Sequence, residues 1–232
     1  MGAELRRRAA VFAALGEPIR LAVVDQLLLG DVSPGRLAAE LRLGSNLMAH
    51  HLTVLEEVGV IRRVPSEGDG RRSYIHMRID DPVVWAAAQG GRAIGVSVSV
   101  QRVLFVCTAN SARSQLAAAA WNSISSIPAN SAGTHPARRI HPRALAVARR
   151  HGLKLLTSQP TNIDDVRQAD DLIVAVCDNA YEEMGMAEVR LHWSIPDPVR
   201  QDTDAAFEGT YSDLRRRVHH LAASQTDPRK AS

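Results

Sequence analysis

The hydrophobic pattern of this 232-residue chain changes near residue 90. Before that point, apolar residues recur at helical spacing over long segments, which predicts a mainly helical region. After it, short apolar runs such as Val103–Val106 and Leu172–Val176 alternate with helical patterns. Such alternation is typical of an α/β domain, in which helices flank a parallel sheet. The sequence therefore predicts two domains of different class.

The junction between the two patterns falls in the glycine-rich segment 89–95. We predict a first domain over residues 1–90, a linker over 91–100, a second domain over 101–224 and a disordered tail over 225–232. With 45% hydrophobic and 23% charged residues the chain has the composition of a folded globular protein. No apolar run approaches the ~18 residues of a membrane span, and no leader pattern opens the chain, so we expect a cytoplasmic protein.

Only two cysteines are present, which excludes a scaffold of disulfides, and we expect no metal site.

Helix signals in the first domain are Pro18 and the pair Ser33–Pro34, and a short turn over Arg42–Gly44 leads into a third helix from Ser45 to Val58. Two helices joined by a short turn with a glycine are typical of a helix-turn-helix.

Two predicted strands follow the third helix, Val60–Val64 and Ser73–Met77, with a turn at 67–70 between them. The first domain is thus predicted to be a winged helix-turn-helix, α with a β-hairpin wing. The residues expected to contact base edges or phosphates are Ser45, Asn46, Ala49, His50, Arg62, Arg63, Arg71 and Arg72. Such a domain can instead serve protein interaction or dimerisation, with the charged hairpin as a solvated surface.

Three segments of this domain, Phe12–Leu21, Leu37–Leu41 and His50–Ile61, resemble the ArsR-type, arsenic-responsive repressors. The resemblance implies a homodimer that binds a palindromic DNA operator and releases it when a metal or metalloid arrives. Arsenic-sensing members carry a cysteine pair where this chain has Asp31–Pro34, so we do not expect thiolates of this domain to sense arsenite.

The second domain opens with the strand Val103–Val106, followed directly by Cys107 and, after five residues, by Arg113 and Ser114. A strand, a compact loop and a helix N-terminus in this order form a cradle for an oxyanion. Its positive field favours the thiolate of Cys107, Ser114 can donate to that sulfur, and Arg113 can bind two oxygens. The loop residues expected to bind the oxyanion are Thr108, Ala109, Asn110, Ser111, Ala112 and Arg113.

This loop, together with Ser131–Pro136, Ala169–Val174 and Pro196–Pro198, resembles the low-molecular-weight tyrosine phosphatases and the arsenate reductases that share their fold. The resemblance implies that Asp197 is the general acid. Val199 and Arg200 follow the Asp-Pro pair where the phosphatases usually carry aromatic residues, and Cys177 ends a later strand where the reductases carry a second cysteine. Both features favour a thiol-dependent arsenate reductase.

In the implied reaction, Cys107 attacks arsenic(V), Asp197 protonates the departing hydroxide, and a second thiol releases arsenite. Met184 stands where thioredoxin-linked reductases have a third cysteine, so an internal relay of three thiols is excluded. Either Cys177 forms a disulfide with Cys107 that an external reductant opens, or a small thiol attacks the adduct and Cys177 is only a buried strand-end residue. The external reductant would be mycothiol, glutathione or a redoxin.

The sequence as a whole predicts a bifunctional arsenic-resistance protein, an operator-binding repressor fused to an arsenate reductase. Two alternatives use the same loop. One is a protein tyrosine phosphatase, and the other is a regulator that senses arsenate or phosphate with little turnover.

Overall fold

The computed structural model describes residues 2–88, 100–185 and 188–224. These residues fall into two compact units, one made of residues 2–66 and 70–88, the other of 67–69, 100–185 and 188–224. The glycine-rich junction at 89–95, residues 91–99 of the predicted linker and the predicted tail over 225–232 lie outside the described residues.

The first unit combines helices with one antiparallel strand pair. Its elements are α1 (Ala3–Leu15), α2 (Pro18–Leu27), α3 (Pro34–Glu40), α4 (Ser45–Glu57), β1 (Ile61–Pro65), β2 (Ser73–Met77) and α5 (Pro82–Ala88). Proline opens α2 and α3, and the side chains of Glu17 and Ser33 accept hydrogen bonds from the backbone of their first turns. These N-terminal signals explain why both helices begin where the sequence predicts.

The core of the first unit gathers one face of each helix. Helix α4 buries Met48, His51, Leu52 and Leu55, which recur at the three- and four-residue spacing of a single helix face. Strands β1 and β2 pair in antiparallel register from Ile61 opposite Met77 to Pro65 opposite Ser73.

The second unit is an α/β fold with a parallel sheet of four strands in the order β4-β3-β5-β6, which confirms the fold class predicted for this half. Its elements are β3 (Arg102–Cys107), α6 (Arg113–Asn122), β4 (Ala129–Gly133), α7 (Pro142–Arg150), α8 (Ile163–Val166), β5 (Asp171–Ala175), α9 (Asp178–Met184), β6 (Leu191–His192), a short 3-10 helix (Pro198–Arg200) and α10 (Asp204–Ser224). Of these elements, the sequence predicts β3, β5 and the start of α6, and strands β4 and β6 are among those that it does not indicate. Strand β4 lacks an apolar run and β6 has two residues, so sheet pairing rather than local pattern defines them.

Strand β3 is an inner strand of this sheet and positions the loop that follows it. It pairs with β4 and β5, and its residues from Val103 to Cys107 are buried. The register sets Cys107 opposite Gly133 and Val106 opposite Ala175. Because parallel strands end at the same edge of a sheet, the loops after β3 and β5 meet there. Within the described part of the chain, none of the helices combines the length and apolarity required to traverse a lipid bilayer.

Candidate active site after the central strand

The loop over 108–112 turns its carbonyl groups toward the segment between β4 and α7. The carbonyl oxygens of Cys107, Thr108, Ala109 and Ser111 accept hydrogen bonds of 2.8 to 3.2 Å from backbone N–H groups of residues 134–141. No backbone N–H group from Thr108 to Ala112 donates to another described residue. These donors lie at the N-terminus of α6, where backbone N–H groups without an intrahelical partner can bind an anion.

Asn110 supports the loop from behind. Its backbone takes the left-handed conformation, with φ 47°, and its side chain is fully buried. The side-chain amide donates to the hydroxyls of Ser114 and Ser131 at 2.8 and 3.0 Å, and its oxygen accepts from the Gln115 side chain at 3.0 Å. A short polar side chain makes this conformation tolerable. The side chain of Asn110, which the sequence places among the oxyanion-binding residues, therefore braces the loop.

One cavity of about 850 Å³ is lined by Cys107, Arg113 and Asp197 together with the loop residues Ala109, Ser111 and Ala112. The Cys107 sulfur lies 3.1 Å from the Ser114 hydroxyl. A hydroxyl at this distance can donate to a thiolate and stabilise its charge. Thr108 is absent from the cavity wall, and its hydroxyl lies 3.6 Å from the sulfur of Cys177 instead.

Arg113 is a buried, permanent positive charge beside the thiol. Its guanidinium donates to the Ile195 carbonyl at 2.9 Å and lies 3.3 Å from the Asp197 carboxylate. Burial by itself would lower the pKa of Arg113, but the neighbouring Cys177, Cys107 and Asp197 raise it above its ordinary value. The guanidinium therefore stays charged while the anions around it change, as an oxyanion site requires.

Asp197 is held by the first turn of the 3-10 helix that follows it. One of its oxygens accepts the N–H of Val199 at 3.2 Å, and the other faces Arg113. The side chain keeps 30% of its surface exposed. A carboxyl group that lines the same cavity as Cys107 can give a proton to a leaving oxygen, the role that the sequence predicts for it.

Cys177 is the residue directly before α9, and its side chain is 1% exposed. It is absent from the cavity wall. Burial raises the pKa of its thiol, Arg113 opposes this, and the charge of Cys107 raises it further. Both cysteines are free thiols. The parallel pairing of β3 and β5 thus brings Cys177 beside the loop that follows Cys107, although the two cysteines are 70 residues apart in the sequence.

A buried hydrogen-bonded pair next to Cys177 was not indicated by the sequence. The Asp178 carboxylate lies 2.9 Å from Nε2 of His192, and the His192 ring stacks on Tyr181 at 4.1 Å between centroids. Burial would raise the pKa of Asp178, but hydrogen bonds from His192 and Ser194 hold it below its ordinary value. The pair joins β6 to the start of α9 and so fixes the backbone that carries Cys177. The sequence offers His192 only as part of the His192–Trp193 resemblance to the reductases, and nothing in it indicates the contact with Asp178.

Gly133, at the end of β4, is a second residue whose role the sequence did not indicate. A Cβ atom there would lie 2.6 Å from the Thr108 carbonyl oxygen and 3.0 Å from the backbone nitrogen of Asn110. We expect Gly133→Ala to displace the loop and to lower the free energy of unfolding by about 1–3 kcal/mol, measured by urea denaturation. Gly209→Ala is the control, since a Cβ there meets nothing within 4 Å. Equal stability of the two variants would contradict this close packing.

The residues predicted to contact DNA lie on exposed surfaces of the first unit. Ser45, Asn46, Ala49 and His50 are exposed along α4, whereas its neighbour His51 is buried. The arginines Arg62, Arg63, Arg71 and Arg72 are exposed on β1 and before β2. Arg63 also pairs with Glu56 of α4 at 3.1 Å. Among the residues that the structure describes, no group of three or more His, Cys, Asp or Glu side chains is arranged to hold a metal ion.

Comparison with known proteins places the similarity in the second half of the chain. The family model described as low molecular weight phosphotyrosine protein phosphatase matches residues 102–230. A curated relative, the glutaredoxin arsenate reductase of Synechocystis sp., is 27% identical over 130 residues, covering 53% of this chain and 98% of that protein. Among solved structures, arsenate reductase from Archaeoglobus fulgidus is 31% identical, covering 52% of this chain and 98% of its own, with a TM-score of 0.47. The tyrosine phosphatase Wzb from Escherichia coli K30, in complex with sulphate, is 24% identical, covering 53% and 97%, with a TM-score of 0.48.

Proposed function

The chain belongs to the low molecular weight phosphotyrosine protein phosphatase family through residues 102–230, and on that premise we propose that its second unit is a thiol-dependent arsenate reductase. One observation carries the choice of reduction over hydrolysis: the sulfur of a second, buried thiol, Cys177, lies 3.6 Å from the hydroxyl of Thr108, the residue that follows Cys107. Hydrolysis of a phosphate ester needs one nucleophilic sulfur, whereas reduction of arsenic(V) needs two thiols to supply two electrons. The name of the Synechocystis relative agrees with this choice.

The first step joins arsenate to the nucleophile. The unbonded N–H groups of the loop and the Arg113 guanidinium hold the arsenate oxygens. The Cys107 thiolate then attacks arsenic, and one arsenic–oxygen bond breaks. Asp197 gives its proton to the departing oxygen, which leaves as water. The product is a covalent adduct in which Cys107 sulfur is bonded to arsenic(V).

The second step uses Cys177. Once the sulfur of Cys107 is bonded to arsenic it no longer carries the negative charge that raises the pKa of Cys177. Formation of the adduct therefore makes it easier for Cys177 to lose its proton, and the positive charge of Arg113 continues to stabilise the thiolate that results. Its attack on Cys107 sulfur makes the disulfide, and the electron pair of the sulfur–arsenic bond passes to arsenic, which leaves as arsenite. An external thiol, mycothiol, glutathione or a redoxin, then restores both thiols.

Arsenite production from arsenate, measured side by side with glutathione, mycothiol and thioredoxin systems, tests this function. Hydrolysis of an aryl phosphate without any thiol tests the tyrosine phosphatase alternative in the same preparation. Arsenate or phosphate binding that changes DNA affinity without turnover would favour the oxyanion-sensing alternative. Aryl phosphate hydrolysis in the absence of arsenite production would overturn the proposal.

Cys177→Ser separates reduction from oxyanion chemistry. We expect arsenite production with a redoxin to fall by about 10²-fold or more, because the adduct lacks its internal attacking thiol. Aryl phosphate hydrolysis and phosphate binding should stay within about twofold, since Cys177 does not line the cavity. Undiminished arsenite production would instead show that the reductant supplied in the assay attacks the adduct directly and that Cys177 is only a buried residue between β5 and α9.

For the first unit we propose operator binding by a winged helix-turn-helix, with residues 1–90 as the DNA-binding domain, 91–100 as the linker and 101–224 as the reductase domain. The exposed row Ser45, Asn46, Ala49 and His50 on α4 supports base contacts. Helix α1 leaves Leu5 and Phe12 exposed, 45% and 53% respectively. These two residues lie seven apart on one helix face, which supports a homodimer through α1.

The arginines of the strand pair make DNA binding measurable without knowledge of the operator. Replacing Arg62 and Arg72 with glutamine removes two exposed positive charges. If both contact phosphates, the slope of log affinity against log salt concentration should fall by about 2, uniformly over duplex sequences. Fluorescence anisotropy with a mixed-sequence duplex measures this slope. Arg149→Gln, an exposed charge on α7 of the other unit, is the matched control, and an unchanged slope in the double variant would exclude the strand pair as the phosphate contact.

A further inference from the structure

The cavity that holds Cys107 has a basic wall that the proposed reaction does not use. Arg138, Arg139, Arg143 and Arg150 all line it, on the segment before α7 and on α7 itself. Two of these charges are neutralised locally. Arg143 pairs with Asp202 at 2.9 Å and with Asp204, and Arg150 pairs with Glu208 at 2.6 Å.

Arg138 and Arg139 differ from the other two. Both are exposed, and neither has an ion pair with any acidic residue that the structure describes. The other carboxylates of the cavity wall have partners already, because Asp202 and Asp204 face Arg143 and Asp197 faces Arg113. Two uncompensated positive charges therefore lie on the wall of the cavity.

The backbone ties these arginines to the catalytic loop. Ala137, the residue before Arg138, donates its N–H to the Ala109 carbonyl at 2.9 Å, and His135 donates to Thr108 at 2.8 Å. A group that binds Arg138 and Arg139 is thus held at a fixed position relative to the loop that positions Cys107. Arsenate itself is bound by the loop N–H groups and Arg113. Arg138 and Arg139 are therefore suited to bind anionic groups on a second, larger reactant.

We propose that Arg138 and Arg139 bind the carboxylates of a low-molecular-weight thiol, which attacks the sulfur of Cys107. This inference rests on the proposed function and assigns the chemical class of its reductant. Cys107 lines the cavity and Cys177 does not, so a thiol in the cavity meets Cys107 sulfur. Charge selects a peptide thiol such as glutathione, which carries two carboxylates, over a neutral sugar thiol such as mycothiol.

The exchange balances as two successive displacements. The thiolate of the first small molecule bonds to Cys107 sulfur, the Cys107–Cys177 bond breaks, and its electron pair goes to Cys177, which takes up a proton. A second small thiol then attacks the first one's sulfur and releases Cys107 as thiolate. Two small thiols are oxidised to one disulfide, and the protein disulfide is reduced by the same two electrons.

Glutathione and its diethyl ester test the charge preference, because they share one thiol and one backbone and differ in the two carboxylates. With saturating arsenate, we expect the wild-type KM for glutathione to lie below that for the ester. The Arg138→Gln, Arg139→Gln double variant should raise the KM for glutathione about three- to tenfold and leave the KM for arsenate and for the ester unchanged. Arg149→Gln, outside the cavity wall, should change none of them.

A second measurement is independent of arsenate. Cys177→Ser protein with Cys107 joined to thionitrobenzoate releases the coloured thiol when a small thiol attacks, which gives a rate constant for each reductant. We expect glutathione to react faster than the ester. This difference in rate should disappear in the double variant and become smaller as the salt concentration rises. Equal rates for the two thiols, or an equal loss with both, would overturn the inference even if arsenate is reduced. If the protein prefers glutathione over the ester but produces no arsenite, the proposed function is contradicted and the thiol-binding site is still supported.

Discussion

Cys107→Ser is expected to abolish arsenite production, by about 10³-fold or more, because a serine hydroxyl at this position neither ionises readily nor supplies electrons. The loop N–H groups and Arg113 remain in place, so phosphate binding should persist in the variant. Titration calorimetry with inorganic phosphate measures the binding, and arsenite formation over time measures the turnover.

The matched control for this variant is Ser126→Ala, a substitution of similar size outside the cavity wall, which should retain full turnover. Substantial arsenite production by Cys107→Ser would refute the assignment of the nucleophile. Loss of phosphate binding together with turnover would indicate that the loop had collapsed, and circular dichroism would show whether the fold had changed with it.

Arg113→Lys should produce the second large effect. Lysine keeps the positive charge near Asp197 but cannot offer the planar pair of N–H donors that Arg113 directs at Ile195 and at the cavity. Charge-assisted hydrogen bonds contribute about 1.5–3 kcal/mol, so phosphate affinity should fall by about 10- to 100-fold and kcat/KM for arsenate by at least as much. Inhibition of arsenite production by phosphate measures the affinity.

Arg143→Lys is the control for this second prediction, because Arg143 lines the same cavity but is already paired with Asp202 and Asp204. Its phosphate affinity should stay within about threefold of wild type. Similar losses in the two lysine variants would mean that the cavity attracts anions through its total charge rather than through the guanidinium of Arg113.

Local pattern was sufficient for elements with strong signals. Pro18 and Ser33–Pro34 mark two helix starts, and the apolar run Val103–Val106 marks a buried strand. Strands β4 and β6 were missed because their residues, such as Asn130 and His192, become strand only by pairing with β3 and β5. The same cause hid Gly133, whose constraint is the backbone of the Thr108 loop rather than its own neighbours in the chain.

The sequence by itself determined the chemistry that is local in the chain: a cysteine, a compact loop and an arginine between a buried strand and a helix N-terminus. It indicated that Cys177 ends a strand, but only the parallel register of β3 and β5 brings that thiol under the influence of Cys107 and Arg113. Tertiary structure likewise decided that Arg143 and Arg150 have acidic partners, whereas Arg138 and Arg139 have none among the residues that the structure describes. The interaction between charged groups depends on their distance in space, and residues 58 to 70 positions apart in the sequence come close only when the sheet and α10 have packed.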